Sequence, residues 1–437
     1  MVRVIHKAAN RIKRTIRSNK TAAHVVSKLR GPASKLTAHD VQAARNYIHS
    51  YWKTLERYQP KDEDTLVGVP KPYLVAASEQ GHEFEFNELF YWDSYFMAQG
   101  ILDAEHKELV MGILDDLCYL FERYKVIPNA SRTFYMGRSQ PPLLTSFIFD
   151  VYDAYSPGKK WLKTKISIAK KEYETVWLGV KKPNVRLVYK GLSRYYDINA
   201  QHGLAEAESG WDLTPRFNKK CLDYLPVDLN CLLYKYEVDF AWAAKILGDQ
   251  KESKKWQKAA DERAKTMQSL LWDRVRGFYY DYNYVKRRRG TVNSLAGFYP
   301  LWAGLATEAQ AKKLVKNLAK FEHRGGLATT DMMPINHRVP GMVPTQWAYP
   351  NGWAPLHYLV VKGLEKYGYH EDAERIARKW IKTNLDEFNK KGCFYEKYNV
   401  VQPGKPPVRA VYASFELTGF GWTNAVFERF CQDYINE

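Results

Sequence analysis

Helical hydrophobic periodicity repeats along almost the whole chain and leaves little room for other secondary structure. In residues 39–58, for example, Ala43, Ile48, Trp52 and Leu55 recur on one face of a helix. The same pattern predicts twelve helices, at about residues 39–58, 88–102, 107–125, 141–156, 160–178, 226–248, 251–272, 293–305, 307–320, 352–367, 370–388 and 419–435. The β-prone pieces are short and lie at residues 277–284, 392–400 and 409–413. The sequence therefore predicts an all-α chain.

The number of these helices favours one closed barrel over separate domains. A chain of 437 residues exceeds the roughly 250–300 residues at which a single core usually stops growing. Repeat-built architectures are an exception, because each helical hairpin buries its apolar face against the next. Twelve helices make six hairpins, and closing them into a ring removes the exposed ends that an open stack must cap. Functional residues are then expected on the loops at one mouth of the barrel.

The positive charge of the chain is concentrated at its beginning. The net charge is +18, and residues 1–30 hold nine Lys or Arg side chains and no acidic one. We predict a basic N-terminal arm at residues 1–36 and the helical barrel at residues 37–437. A basic amphipathic helix in the arm could lie on an anionic membrane surface or bind RNA. We favour a poorly ordered extension that does neither.

The placement of cysteine and histidine argues against disulfides and metal sites. The five Cys are scattered and include no C-x-x-C pair, which is typical of a protein in the reducing cytoplasm. The eleven His form no H-x-x-x-H pair, and no acid-rich calcium loop is present, so no metal or other cofactor is expected. No apolar run reaches the length of about 18 residues that a transmembrane helix needs, and residues 1–30 lack the apolar core of a secretory signal.

Five segments combine aromatic rings with hydrogen-bonding or ionisable side chains. They are residues 84–96 (FEFNELFYWDSYF), 127–142 (IPNASRTFYMGRSQPP), 208–217 (ESGWDLTPRF), 346–355 (QWAYPNGWAP) and 394–400 (FYEKYNV). A pyranose stacks its apolar face on an aromatic ring while its hydroxyls bind polar groups, so this mixture is typical of a sugar-binding cleft. A large helical core, however, accounts for most of the 13 Trp, 31 Tyr and 19 Phe of the chain.

In order and spacing, these segments resemble the trehalase family of glycoside hydrolases, from about residue 84 to residue 424. The resemblance implies an (α/α)6 barrel that cleaves a glycosidic bond with inversion, without a cofactor. It implies that Asp212 is the general acid and that Glu396 is the general base. The residues that it implies for substrate binding are Trp92, Asp93, Asn129, Arg138, Ser139, Gln140 and Gly210.

A pair of carboxylates suits this chemistry. One must protonate the leaving oxygen while the other activates a water on the opposite face of the sugar, roughly 6.5–9.5 Å away in inverting enzymes. Taken without the resemblance, the same residues have simpler interpretations. Asp212 fits the cap of a helix that begins near Leu213, Glu396 fits a surface carboxylate, and Arg138 fits a structural ion pair.

Three departures from the family pattern concern contacts with the substrate. Glu85 stands where the family has an arginine, Ala348 stands where it has an aspartate, and a loop containing Arg-Pro-Glu is missing before Asp212. The expected function is hydrolysis of α,α-trehalose to two glucose molecules, with a small carbohydrate and no nucleic acid as partner. The departures predict weak activity on trehalose or a preference for another aglycone. Two alternatives remain, a hydrolase of another small α-glucoside such as glucosylglycerate and a carbohydrate-binding pseudoenzyme, and the presence of both carboxylates argues against the pseudoenzyme.

Overall fold

The computed structural model describes residues 35–78, 86–182, 184–332, 345–410 and 417–435, and these are mainly α-helical. The helices are α1 (Ala38–Leu55), α2 (Tyr91–Ala98), α3 (Lys107–Tyr124), α4 (Leu144–Tyr155), α5 (Lys159–Glu172), α6 (His202–Glu208), α7 (Val227–Leu247), α8 (Gln250–Leu270), α9 (Tyr299–Trp302), α10 (Glu308–Asn317), α11 (Ala354–Lys366), α12 (His370–Lys391) and α13 (Gly421–Tyr434). Residues 1–34, most of the predicted arm, lie outside the described residues. The end of the arm contacts α12, because the Leu36 carbonyl accepts a hydrogen bond from Arg378 Nη1 at 3.3 Å.

Twelve of these helices form two concentric rings. The inner ring consists of α2, α4, α7, α9, α11 and α13, and consecutive members pack against each other. It begins where the ring of Tyr95 in α2 meets that of Phe147 in α4, and it closes where α13 packs against α2. The outer ring consists of α1, α3, α5, α8, α10 and α12. The architecture is therefore an (α/α)6 barrel.

The residue patterns of the helices explain which ring each one joins. All eight residues of α2 are buried, as a helix enclosed on every side requires. Helix α12 has one apolar face, on which Ala373, Ile376, Ala377 and Trp380 are buried at spacings of three or four residues. Its other face is charged and meets solvent. Apolar content thus places α2 inside the barrel and amphipathicity places α12 outside it.

The strands are short and pair antiparallel between the connecting segments, some as hairpins and some across long stretches of sequence. They are β1 (Glu56–Arg57), β2 (Tyr73–Leu74), β3 (Leu187–Tyr189), β4 (Leu192–Ser193), β5 (Tyr224–Leu225), β6 (Trp272–Asp273), β7 (Phe278–Tyr279), β8 (Tyr282–Asn283), β9 (Arg288–Arg289), β10 (Glu322–His323), β11 (Gly326–Leu327), β12 (Asn351–Trp353) and β13 (Lys397–Asn399). Strands β12 and β13 pair antiparallel, with Trp353 opposite Lys397. This pair joins the segment before α11 to the segment before α13.

The twelve predicted helices and the closed barrel are confirmed. Helix α6, which has only seven residues and lies between α5 and α7 along the chain, was not predicted. Two of the β-prone pieces contain strands, whereas Arg409 and Ala410 are in no strand and residues 411–413 lie outside the described residues. Within the described part of the chain, no helix is both long and apolar enough to cross a membrane.

Candidate active site

A cavity of about 750 Å³ lies at the N-terminal ends of the inner helices α2, α11 and α13. Its described lining consists of Ala76, Phe86, Phe90, Trp92, Asp93, Asn129, Tyr135, Arg138, Gln140, Ala207, Gly210, Asp212, Gln346, Trp347, Trp353, Glu396, Leu417, Phe420 and Trp422. Eight of the nine residues predicted for the site are in this lining, and Ser139 is the exception. The structure therefore brings together segments that are far apart in the sequence.

The segment that carries Asp212 follows α6 and approaches the barrel wall closely. Gly210 adopts a left-handed conformation with φ 72°, and a Cβ at this position would lie 2.7 Å from Trp92 Cζ2. Only glycine meets both conditions without strain. The close approach lets Asp212 reach the cavity, where its carboxylate accepts hydrogen bonds from Gln346 Nε2 at 2.7 Å and from Trp347 Nε1 at 3.1 Å. No helix begins at Leu213, so Asp212 is not a helix cap.

Glu396 reaches the same cavity from the residue before β13. Its backbone is held on both sides, because its N–H donates to the Leu417 carbonyl at 3.0 Å and its carbonyl accepts from Trp422 Nε1 at 3.2 Å. The Glu396 carboxylate forms an ion pair with Lys397, whose ammonium lies 4.8 Å from the centre of the Trp353 ring. Glu396 is therefore a charge-paired, largely buried carboxylate and not a free surface acid.

Asp93 is a third carboxyl in the cavity, and it lies close to the other two. It is 4% exposed, and burial raises its pKa to about 8. The negative charges of Glu396 and Asp212 raise this pKa as well. The Asp93 carboxyl is thus protonated at neutral pH and can donate a hydrogen bond to a ligand oxygen.

This raised pKa predicts a pH-dependent stability. The pKa of Asp93 is near 4 in the unfolded chain and about 8 in the folded protein. The folded protein therefore loses stability as the pH rises between these two values. Asp93→Asn cannot ionise and escapes this loss. We expect the advantage of Asp93→Asn over the wild type in urea unfolding to grow by up to about 4 kcal/mol between pH 5 and pH 8, at about 1.4 kcal/mol per pH unit. A difference that does not change with pH would mean that Asp93 is already ionised in the folded protein.

The segment of residues 127–142 supplies polar side chains to another part of the cavity wall. The guanidinium of Arg138 donates to Asp197 through Nη1 at 3.2 Å, and its centre lies 5.1 Å from the Tyr135 ring centre. Arg138 lines the cavity, and its Nε–H is buried without a hydrogen-bond partner among the described residues. Gln140 Oε1 accepts from the Trp92 N–H at 2.8 Å, which joins this wall to the start of α2.

Ser139 and Asn129 hold this wall together from within. Ser139 is fully buried behind the cavity surface, and its hydroxyl donates to the Ile127 carbonyl at 2.7 Å. The Asn129 amide donates to the Ser139 carbonyl at 3.1 Å. The Ser139 N–H donates to Glu208 Oε1 at 2.8 Å. Ser139 is therefore placed to fix the conformation of the wall, whereas Asn129 also faces the cavity.

Five tryptophan rings pack together, and one of them donates a hydrogen bond to Asp212. We call these residues, Trp92, Trp211, Trp347, Trp353 and Trp422, the tryptophan cluster. The rings of Trp347 and Trp353 are stacked with centroids 3.7 Å apart and planes 5° apart, and Trp211 stacks on Trp347 at 5.5 Å. Trp422 meets Trp353 edge to face at 6.0 Å. The five rings are at most 4% exposed and pack on one another, so they form an apolar support for the cavity wall.

Several residues of the site were not predicted from the sequence. Gln346, Trp347 and Lys397 fall in segments already singled out by their composition, so a signal existed for them. Glu208 begins the segment of residues 208–217, which was also singled out, but its hydrogen bond from the Ser139 N–H depends on a contact between distant parts of the chain. Trp422 resembles any other core tryptophan of a helix.

Of the two residues that depart from the family pattern, the structure describes only Ala348. Ala348 is buried and does not line the cavity, and Glu85 lies outside the described residues. Arg138 is the only arginine in the lining as far as the structure describes it. No group of three or more metal-binding side chains was found in the described part of the chain.

The double ring of helices and the cavity with carboxylates, an arginine and a tryptophan cluster define an (α/α)6-barrel protein with a site suited to carbohydrates. The chain belongs to the trehalase family, whose sequence model matches residues 3–202 and 200–435. A cytosolic neutral trehalase of Kluyveromyces lactis is 32% identical over 434 residues, which are 84% of this chain and 56% of the relative. A cytosolic neutral trehalase of Saccharomyces cerevisiae is 32% identical over 448 residues, 85% of this chain and 58% of the relative. The chain thus spans little more than half the length of these curated relatives.

Solved structures show the same fold. The neutral trehalase of Saccharomyces cerevisiae superposes with a TM-score of 0.72 and 31% identity, covering 90% of this chain and 80% of that one. A mannosylglycerate hydrolase of Thermus thermophilus superposes with a TM-score of 0.64 and 17% identity, covering 88% of this chain and 99% of that one. The second likeness, at this low identity, concerns the barrel alone.

Proposed function

We propose that this chain is an inverting glycoside hydrolase that cleaves α,α-trehalose to two glucose molecules. The observation that carries the proposal is that Asp212 and Glu396 line one cavity together with Arg138 and four members of the tryptophan cluster, Trp92, Trp347, Trp353 and Trp422. Membership of the trehalase family and the names of the relatives support the choice of substrate. Since those relatives are named cytosolic, we also propose that the protein acts in the cytosol. Residues 37–437 are the proposed catalytic barrel, and residues 1–36 the proposed arm.

In this mechanism Asp212 is the general acid. It gives its proton to the glycosidic oxygen as the bond to the anomeric carbon breaks. The side-chain donors Gln346 Nε2 and Trp347 Nε1 then stabilise the Asp212 carboxylate that is left, through hydrogen bonds of 2.7 and 3.1 Å. After the products leave, Asp212 regains a proton from solvent and Glu396 releases to solvent the proton that it took from the attacking water, so the enzyme returns to its starting state without a cofactor.

Glu396 is the general base on the other face of the sugar. It accepts a proton from a water molecule while the oxygen of that water bonds to the anomeric carbon. Its carboxylate is paired with the Lys397 ammonium, which fixes its place in the cavity wall. Because the water attacks opposite the leaving group, the configuration at the attacked carbon inverts.

The remaining cavity residues hold the sugar in place for this attack. The guanidinium of Arg138 donates to a sugar oxygen, and the protonated Asp93 offers its O–H. Gln140, Asn129 and Trp92 complete the same wall, with Gly210 providing the space and Ser139 the support. These residues would position one glucose unit beside both carboxylates.

The test is a proton-NMR time course with trehalose and a panel of other small α-glucosides, including glucosylglycerate. Inversion makes one β-glucose and one α-glucose from each trehalose, so we expect the first product signals in a one-to-one ratio before mutarotation. Retention would give only the α-anomer and would contradict the inverting assignment.

With a single arginine in the described lining, we expect trehalose turnover below that of the Saccharomyces cerevisiae neutral trehalase, by roughly ten- to a hundredfold for each lost charged hydrogen bond.

A hydrolase of another α-glucoside is the second candidate. The observation in its favour is the same shortage of arginines, because fewer cationic groups in the described lining leave fewer donors for the hydroxyls of a second glucose. A panel substrate that is turned over at least tenfold faster than trehalose would favour this candidate. No turnover of any substrate in the panel would leave the carbohydrate-binding pseudoenzyme and overturn the proposed function.

A further inference from the structure

The backbone directly after Asp212 is held in an unfavourable conformation. Leu213 has φ 61°, in the left-handed region that costs a non-glycine residue roughly 1–2 kcal/mol. The segment belongs to no helix or strand that would impose this conformation. Other contacts must therefore restrain it, since a relaxation at Leu213 would rotate the neighbouring Asp212 away from its present direction.

Glu206 in α6 provides such a restraint. Its Oε1 accepts a hydrogen bond from the Thr214 N–H at 3.0 Å, and the Leu213 N–H interacts with the same carboxyl. The carboxyl is 8% exposed, and Glu206 is absent from the described lining of the cavity. It therefore acts on the backbone and does not touch the sugar.

The second restraint comes from the segment that also binds the Asp212 side chain. The Trp347 N–H donates to the Leu213 carbonyl at 3.4 Å, a long hydrogen bond. The Thr214 hydroxyl donates to the Trp347 carbonyl at 3.5 Å, at the limit for such a bond. Both of these hydrogen bonds are longer than the 3.0 Å hydrogen bond that the Thr214 N–H donates to Glu206.

The Glu206 carboxyl interacts electrostatically with Asp212. Burial raises the pKa of Glu206 to about 7, and the negative charge of Asp212 raises it too, while Arg216 lowers it. The buried Cys221 thiol also interacts with the Glu206 carboxyl. Glu206 and Asp212 are thus neighbours in space as well as in sequence.

We propose that Glu206 is a positioning residue for the general acid: by binding the Thr214 N–H it keeps Leu213 left-handed and directs Asp212 at the glycosidic oxygen. This inference rests on the proposed function. Proton transfer in the transition state requires the donor within hydrogen-bond reach of the oxygen. A small rotation of Asp212 therefore reduces the rate without removing the sugar-binding groups.

The experiment compares Glu206→Ala with Glu206→Gln on two substrates. Glutamine keeps an oxygen that accepts the Thr214 N–H, so Glu206→Gln should keep kcat on trehalose within about threefold, whereas Glu206→Ala should lower kcat by roughly tenfold or more with little change in KM. On α-glucosyl fluoride, whose fluoride leaves without a proton, Glu206→Ala should change kcat by less than about threefold, because this substrate does not need the general acid.

A rescue and a control complete the design. Leu213→Gly added to Glu206→Ala should restore part of the lost kcat, because glycine adopts the left-handed conformation without strain. Glu322→Ala removes another buried carboxylate, one that binds Arg375 and Lys379 away from the cavity, and should lower the melting temperature without lowering kcat.

Each result has a defined meaning. Unchanged kcat in Glu206→Ala, equal losses on both substrates, or no rescue by Leu213→Gly would overturn the inference. If the wild type hydrolyses no α-glucoside, or if Asp212→Asn is as active as the wild type, the proposed function itself fails. An inactive Asp212→Asn beside a fully active Glu206→Ala would reject only the role of Glu206.

Discussion

Replacing Asp212 with asparagine, or Glu396 with glutamine, is expected to lower kcat for the α-linked disaccharide by roughly 10²–10⁴-fold, the usual contribution of one positioned acid or base. Both substitutions keep the shape of the side chain and remove its ability to transfer a proton. Neither variant replaces Arg138 or a tryptophan, and Asp212→Asn loses only one of the two hydrogen bonds from Gln346 Nε2 and Trp347 Nε1, so sugar affinity measured by calorimetry should change little. Comparable stability in urea serves as the control for folding.

The two variants should separate on α-glucosyl fluoride. Asp212→Asn should regain most of its rate there, since fluoride departs without protonation, whereas Glu396→Gln should remain slow because water still has to be activated. This pattern identifies which carboxylate is the acid and which is the base. The reverse pattern would exchange the two roles, and full activity of either variant on trehalose would remove that residue from the mechanism.

Arg216→Met is expected to destabilise the protein by roughly 3–5 kcal/mol, the range found when one partner of a buried ion pair is removed. Arg216 is 2% exposed and binds Asp228 through two hydrogen bonds of 2.8 Å. It also binds Asp281, at 3.1 and 2.8 Å. Methionine fills a similar volume and leaves both carboxylates buried without their cation. Urea unfolding at neutral pH measures the loss.

The matched control neutralises the carboxylates as well. Arg216→Met combined with Asp228→Asn and Asp281→Asn carries no buried charge at this position and should recover most of the lost stability. A single Arg216→Met variant within about 1 kcal/mol of the wild type would show that Arg216 is not the partner these carboxylates need. The guanidinium also lies 4.4 Å from the Trp211 ring centre, so its loss should disturb the segment before Asp212 as well.

The helices could be predicted because their signal is local. The periodicity of an amphipathic helix such as α12 is written in the spacing of Ile376 and Trp380, and it needs no knowledge of the rest of the chain. Helix α6 was missed because seven residues give too few turns for a period to be recognised. The closed ring followed from the number of helices and their pairing.

The candidate site was predictable in its residue types but not in its contacts. Asp212 and Glu396 were found through a family resemblance, and alone each had a simpler interpretation as a cap or a surface acid. The raised pKa of Asp93 depends on burial and on charges from two distant segments, which no local pattern contains. Ser139 was expected to face the substrate, yet its hydroxyl binds the Ile127 carbonyl, because its neighbours turn it away from the cavity. Glu206 gave no signal at all.

The contact between α13 and α2, which closes the inner ring, also has a consequence for how the protein is made. Most helix pairs in the barrel are neighbours along the chain, so they can form soon after synthesis. The closing contact instead joins elements from opposite ends of the sequence, and such non-local contacts form late because a long loop must be ordered first. Glu396 and Trp422 belong to the closing part of the chain. During synthesis Asp212 therefore emerges before Glu396, and the described cavity is complete only after residues 396–422 have been made.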